Sequence, residues 1–247
     1  MNIAQYLDST YLKTPLQSGL TEEETLKKDE ELAQEAADNG IYAVMIRPDY
    51  VNKIKKFLKE QNSNVVVGTV IGFHEGTYSV DEKLAEASKA IEDGADELDF
   101  VINYNAYTRG DLDLVKDEFE RCTELCLKNH KVAKWIIEIA ALADDQIADL
   151  TKKISQWAED RFADKDLPHI FVKSSTGFYE TTGGKPNGAT FEGIQIMLDN
   201  AGKLPVKAAG GVRTPEDAEK MINMGVKRIG TSSALALIKN QSASESY

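Results

Sequence analysis

With 247 residues, 42% of them hydrophobic and 28% charged, the chain can bury a sizeable core and is not a disordered segment. Its formal net charge of −12 sets a repulsive field against nucleic acid and anionic membrane surfaces, so neither is an expected partner. No window nears the roughly 18 apolar residues of a membrane span, and the start Met1 to Asp8 has no basic region followed by an apolar one, so a cytoplasmic protein is expected.

Apolar runs of strand length alternate with amphipathic helical stretches along the whole chain. The first strand is expected at residues 7–12. Thr21-Glu22-Glu23-Glu24 then has the capping-box pattern that opens a helix, and Gly40 stands where that helix should end left-handed. Strands at 42–47 and 65–73 follow. Ser79-Val80-Asp81-Glu82 opens the next helix, Leu84, Ala87 and Ile91 form its core-facing stripe, and Gly94 ends it. After a strand at 97–103, Phe119, Cys122 and Cys126 fall on one helical stripe. The two cysteines read as small buried hydrophobes, because His74, His130 and His169 lie apart from them and from one another. No metal site and no cofactor are expected. Strands at 133–140, 169–174 and 206–209 come next. Thr214-Pro215 then caps a helix with Ala218, Met221 and Ile222 facing inward and Gly225 at its end. The last strand, 228–231, leads into the apolar run Ala234 to Ile238.

This alternation implies parallel strands joined by helical crossovers. Eight strands in a chain of this length predict an α/β fold of the (β/α)8 TIM-barrel type, one domain over residues 1–247 with a short mobile tail at 240–247. An open doubly wound sheet would alternate in the same way, so closure rests on the count.

Parity along the strands puts charge where a barrel is usually apolar. If Leu98, Phe100 and Ile102 face the helices, Asp99 points inward. By the same reasoning Lys134 and Glu138 turn inward on the fifth strand, Lys173 on the sixth and Lys207 on the seventh. Three lysines and two acids then meet in the interior, and buried charge is costly unless paired. A purely structural ion-pair network would give this pattern, and so would amine catalysis. A free lysine is protonated at neutral pH; desolvation and a neighbouring cation disfavour the charged form and free the amine to act as a nucleophile.

Two small-residue turns follow the last two strands, Ala208-Ala209-Gly210-Gly211-Val212-Arg213 and Gly230-Thr231-Ser232-Ser233. Glycines let the backbone approach an anion, and loops after strands seven and eight are where barrel enzymes commonly hold phosphate. Gly72 to Gly76 and Gly183 to Gly188 read as loops rimming the same end, without an assignable role.

The segments Val172-Lys173-Ser174-Ser175-Thr176-Gly177-Phe178, Glu97-Leu98-Asp99-Phe100-Val101-Ile102-Asn103, Val206-Lys207 through Arg213-Thr214, and Arg228-Ile229-Gly230-Thr231-Ser232-Ser233 carry a resemblance that runs nearly end to end. In them the chain resembles the deoxyribose-phosphate aldolases. The resemblance implies reversible cleavage of 2-deoxy-D-ribose 5-phosphate to acetaldehyde and D-glyceraldehyde 3-phosphate through a lysine imine. It implies Lys173 as the imine lysine, Lys207 as the lysine that lowers its pKa, and Asp99 as the acid that moves protons with water. Gly177, Gly210, Gly211, Gly230, Ser232 and Ser233 match phosphate-contacting positions, and Lys134 matches a polar partner of Asp99. Tyr247 matches a terminal tyrosine thought to assist proton transfer in some members. Small-molecule sugar phosphate and aldehyde substrates are the expected partners, and a homodimer is left open. Met45 in place of cysteine, His74 in place of proline, Ser174 in place of threonine and a long stretch from Tyr179 to Asn187 depart from the family pattern. Another Schiff-base aldolase or a transaldolase, or a sugar-phosphate binder without turnover, are the alternatives.

Overall fold

The computed structural model describes residues 2–239; the tail at 240–247, with the expectation for Tyr247, lies outside them. Eight parallel strands follow one another around a closed barrel, β8 pairing with β1. They are β1 (Leu7–Thr10), β2 (Ala43–Ile46), β3 (Val66–Ile71), β4 (Glu97–Val101), β5 (Val132–Ile136), β6 (Ile170–Lys173), β7 (Val206–Ala209) and β8 (Arg228–Thr231). The crossovers carry α1 (Pro15–Ser18) and α2 (Glu22–Asn39) after β1, α3 (Val51–Glu60) after β2, and α4 (Val80–Glu92) after β3. Beyond β4 come α5 (Tyr104–Thr108) and α6 (Leu112–Lys128), then α7 (Asp144–Arg161), α8 (Phe191–Asn200), α9 (Pro215–Met224) and α10 (Ala234–Ile238), one after each remaining strand.

The helices start where their capping chemistry is written. Thr21 Oγ1 accepts from the Glu24 amide while the Glu24 carboxylate accepts from the Thr21 amide, and Ser79 and Glu82 do the same for α4. Thr14 and Gln17 make a third box, on the short α1. Thr214 caps α9 with Pro215 in its first turn. Gly40 ends α2 with φ 64°, a left-handed turn that costs glycine no Cβ clash.

The main core lies between the strands and the helices. Trp135 on β5 stacks on Phe100 of β4 with centroids 4.9 Å apart, rests against Phe119 of α6, and donates its indole N–H to Thr123 Oγ1 at 2.9 Å. Cys122 and Cys126 are free and buried in this layer, and burial pushes the Cys122 thiol up to about 12, which leaves it inert. β7 and β8 have the expected bounds, but the other six strands are shorter than the apolar runs suggested, and for β3 and β5 the cause is local backbone. Gly72, at φ 63°, turns the chain out of β3, so the run expected to 73 stops at Ile71. Glu138, at φ 56°, likewise follows the end of β5 at Ile136, and a 3-10 turn begins at Ile139 where strand was expected to run to 140. Apolar character persists past both ends because the loops there remain buried.

Candidate active site

In-register neighbours in a parallel sheet point the same way, and the pairings Asp99 with Lys134 and Lys173 with Lys207 set these four side chains together inside the barrel. Asp99 is the hub. Its Oδ1 accepts from Lys134 Nζ at 2.8 Å, and its Oδ2 accepts from both Lys173 Nζ and Lys207 Nζ, each at 2.8 Å. A second tier supports the first. Lys207 Nζ is 2.5 Å from Asp8 Oδ2, Lys134 Nζ is 2.6 Å from Glu97 Oε2, and the Arg228 guanidinium bridges Asp8 at 2.6 Å and Glu97 at 2.8 Å. Arg228 also lies over the Tyr42 ring, 3.6 Å from its centroid.

Asp8, Glu97 and Arg228 belong to this site without being among the residues expected there. Their signal was present: Glu97 has the parity of Asp99, Asp8 follows an outward Leu7, and Arg228 precedes an outward Ile229. Glu138 needs the opposite correction. It is fully buried as expected, but its left-handed backbone takes it off the strand, and its carboxyl meets Thr176 instead of the Asp99 cluster. Strand parity cannot be extended past the residue where the strand stops.

The electrostatics follow from the inventory. Three carboxylates face four cationic side chains, so the cluster is short of one negative charge unless one cation gives up its proton. Lys173 is the one disposed to do so. Burial, opposed by Asp99 and aided by Lys207 and Lys134, lowers it to about 8. Lys134 moves the other way, since Asp99, Glu97 and Asp8 outweigh the effect of burial and hold it above the ordinary lysine range. Burial would raise the Asp99 pKa, but the three lysines outweigh it and keep the carboxyl well below the usual range. Asp8 is brought to about 2 because Arg228, Lys207 and Lys134 override its burial. Lys173 is the last residue of β6 and, at 4% exposed, retains the slight access to solvent that Lys207 and Lys134 lack. An amine that is depressed and reachable, on a carboxylate that stays ionised, suits addition to a carbonyl.

The turns expected to hold phosphate all leave the same end of the barrel, because they follow the C-terminal ends of parallel strands. Gly210 and Gly211 come directly after β7 with φ 71° and 78°, Ser232 and Ser233 directly after β8, and Gly177 four residues past β6 with φ 82°. Close packing accounts for part of this glycine usage. A Cβ on Gly230 would sit 3.3 Å from Lys207 Cε, and one on Gly211 2.8 Å from the Ala189 carbonyl. The 183–188 stretch, left without a role in the sequence, brings the Gly188 backbone against Gly210, where a Cβ on Gly188 would lie 2.6 Å from the Gly210 carbonyl carbon. His74 stacks on Phe178 at 5.6 Å and Phe73 meets the same ring edge-on at 5.1 Å, so loops from β3 and β6 touch across the mouth. Met45 is fully buried opposite Gly68, filling space that a larger residue at 68 would contest. Among the described residues no three His, Cys, Asp or Glu side chains are gathered to hold a metal ion, and no helix is long and apolar enough to cross a membrane.

The model of the DeoC/LacD family aldolases matches residues 3–240. The chain belongs to this family. Among related proteins, the deoxyribose-phosphate aldolase of Thermococcus gammatolerans is 40% identical over 240 residues, covering 97% of this chain and 96% of the relative. That of Streptococcus gordonii is 37% identical over 248 residues and covers both chains completely. Among solved structures, the tetrameric deoxyribose phosphate aldolase of Aeropyrum pernix superposes with a TM-score of 0.76 at 29% identity, over 96% of this chain and 89% of that one. Membership in an aldolase family makes this chain an enzyme, a carbon–carbon lyase on a (β/α)8 barrel, and the lysine-lined interior is its candidate active site.

Proposed function

We propose that this aldolase reversibly cleaves 2-deoxy-D-ribose 5-phosphate to acetaldehyde and D-glyceraldehyde 3-phosphate through an imine on Lys173. The observation that carries the reading is the buried Lys173 amine, lowered to about 8 and seated on Asp99 beside Lys207. In the synthetic direction the neutral amine adds to the acetaldehyde carbonyl, and the carbinolamine loses water to give an iminium. Loss of a methyl proton gives the enamine, whose carbon attacks the aldehyde of the acceptor; hydrolysis of the product iminium then frees Lys173. Asp99, held ionised and shared between the two lysines, accepts and returns protons through water, and Lys207 is the neighbouring cation that supports it. Phosphate would rest on Gly177, Gly210, Gly211, Gly230, Ser232 and Ser233, at the same barrel end as Lys173, so that binding energy remote from the reacting carbon orients it.

The test is reductive trapping. Acetaldehyde and borohydride should leave an ethyl group on Lys173 in the peptide map; modification confined to Lys207 or Lys134 would refute the assignment.

A further inference from the structure

One buried acid outside the Asp99 cluster has no task in the chemistry above. Glu138 is fully buried, and at φ 56° and ψ 70° it holds a left-handed backbone that a non-glycine residue adopts only when its surroundings require it. That turn carries its carboxyl away from Asp99 and toward the loop that follows Lys173. A single oxygen, Oε2, accepts both the Thr176 amide at 3.1 Å and the Thr176 hydroxyl at 2.5 Å, while Oε1 is buried and has no hydrogen bond among the described residues. Thr176 Oγ1 in turn accepts the Phe178 amide at 3.0 Å, which closes the turn around Gly177. On the far side Asn187 Nδ2 donates to the Gly177 carbonyl at 2.9 Å, and a Cβ on Gly210 would lie 3.7 Å from Gly177 Cα. The backbone is also tied across the same junction, where the Ile139 amide donates to the Ser174 carbonyl at 2.9 Å.

We propose that Glu138 is a positioning residue of this aldolase, which through Thr176 fixes the Gly177 turn in the conformation that receives the phosphate end of the substrate. The chemistry fits an anchor. A backbone amide and a hydroxyl on one carboxyl oxygen define the Thr176 conformation more tightly than either bond alone, and the strained backbone at 138 is the means of aiming that oxygen. Burial raises the Glu138 carboxyl to about 7, opposed by the two Thr176 bonds and by Lys173, which accords with an acid kept out of the ionic cluster. The inference rests on the reading of Lys173 as the imine lysine and of Gly177 as a phosphate contact.

The experiment separates the two ends of the substrate. Acetaldehyde carries no phosphate, so trapping it on Lys173 reports the nucleophile alone, whereas KM for 2-deoxy-D-ribose 5-phosphate also reports the phosphate turn. Glu138→Ala should raise that KM at least about tenfold while borohydride trapping of acetaldehyde stays within about threefold of wild type, the scale of losing charge-assisted hydrogen bonds at one end only. Glu138→Gln keeps an acceptor oxygen for both Thr176 groups and should return KM to within about threefold of wild type. Thr176→Val, which removes the hydroxyl and leaves the amide, should raise KM in the same direction and decides the matter if Glu138→Ala does not fold. Wild-type KM in folded Glu138→Ala or Thr176→Val, or a loss of trapping as large as the rise in KM, would overturn the proposal. Failure of the wild-type enzyme to form any imine on Lys173 would remove both this inference and the reading beneath it.

Discussion

Two buried ionic groups lie on opposite sides of the barrel wall, and their stoichiometry differs. Outside, Lys83 of α4 donates to the Val101 carbonyl at 2.7 Å and pairs with Glu118 of α6 at 2.5 Å, and the other Glu118 oxygen accepts the Asn103 amide at 2.6 Å. One cation meets one carboxylate, and both carboxylate oxygens have a protein partner. Burial raises the Glu118 pKa, with Lys83 opposing. Inside, Asp8, Glu97 and Asp99 face Lys134, Lys173, Lys207 and Arg228, and the imbalance falls on Lys173. The outer pair ties helices α4 and α6 to the exit of β4 and has no proton to spare. The inner group is built so that one amine gives up its proton more readily than a free lysine does. Buried charge thus serves geometry when it is matched and chemistry when it is one cation in excess.

The largest effect should come from the surplus cation itself. If Lys173 is the covalent nucleophile proposed above, Lys173→Leu lowers turnover by about 10⁴-fold or more. Its unfolding free energy should stay within about 1 kcal/mol of wild type or rise, because the remaining charges are matched and an apolar residue replaces a desolvated amine. Denaturant unfolding with a parallel activity assay checks both; a strongly destabilised variant would mean that the charge of Lys173 holds the barrel together.

Asp99→Asn and Lys83→Leu set the two groups side by side. The first withdraws the shared acceptor of three lysines and should cost about 10² to 10⁴ in rate as well as stability. The second leaves Glu118 buried without its cation and should cost about 3–5 kcal/mol of stability. In the protein that remains folded, acetaldehyde trapping on Lys173 should stay within about threefold of wild type, since the two groups share no hydrogen-bond partner. A Lys83→Leu protein that is stable but cannot form the imine would erase the distinction.

Lys207→Leu tests how the inner group tunes its amine. With Lys173 as the proposed nucleophile, its neutral form reacts and the rate rises with pH through its pKa, which burial, Lys207 and Lys134 hold at about 8 against Asp99. Removing the Lys207 charge removes one of the lowering influences, and the acidic limb of the rate profile should move to higher pH. An unmoved limb in an active variant would leave burial as the cause and give Lys207 another task.

The smallest effect is on stability alone. The folded protein holds the Lys173 proton more weakly than the unfolded chain does. Between about pH 8 and the ordinary lysine range the unfolded state therefore binds more protons, and this residue's contribution makes stability rise with pH there while being flat below. Measured as wild type minus Lys173→Leu, so that other groups cancel, the gain should be on the order of 3 kcal/mol across that window. A difference independent of pH would place the Lys173 pKa at its ordinary value.

The sequence alone carried the periodic information. Eight strands, their capped helices, the inward parity of Lys134, Lys173, Lys207 and Asp99, and the free, buried stripe of Cys122 and Cys126 all follow from side-chain alternation and local backbone chemistry, which are properties of neighbours in the chain. Barrel closure was expected only from the strand count, because a parallel strand does not declare which strand it will meet; the pairing of β1 with β8 decides it. The partners of each charge were likewise invisible. Arg228 reaches Asp8 from 220 residues away, and Glu97 joins Lys134 rather than standing idle beside Asp99, because contacts in a closed sheet depend on register between strands. Glu138 marks the limit most plainly. Its parity in the sequence assigned it to the lysine cluster, but one left-handed residue past the end of β5 redirected it to Thr176, and such a turn is imposed by the packed loop around it rather than written in the residue itself.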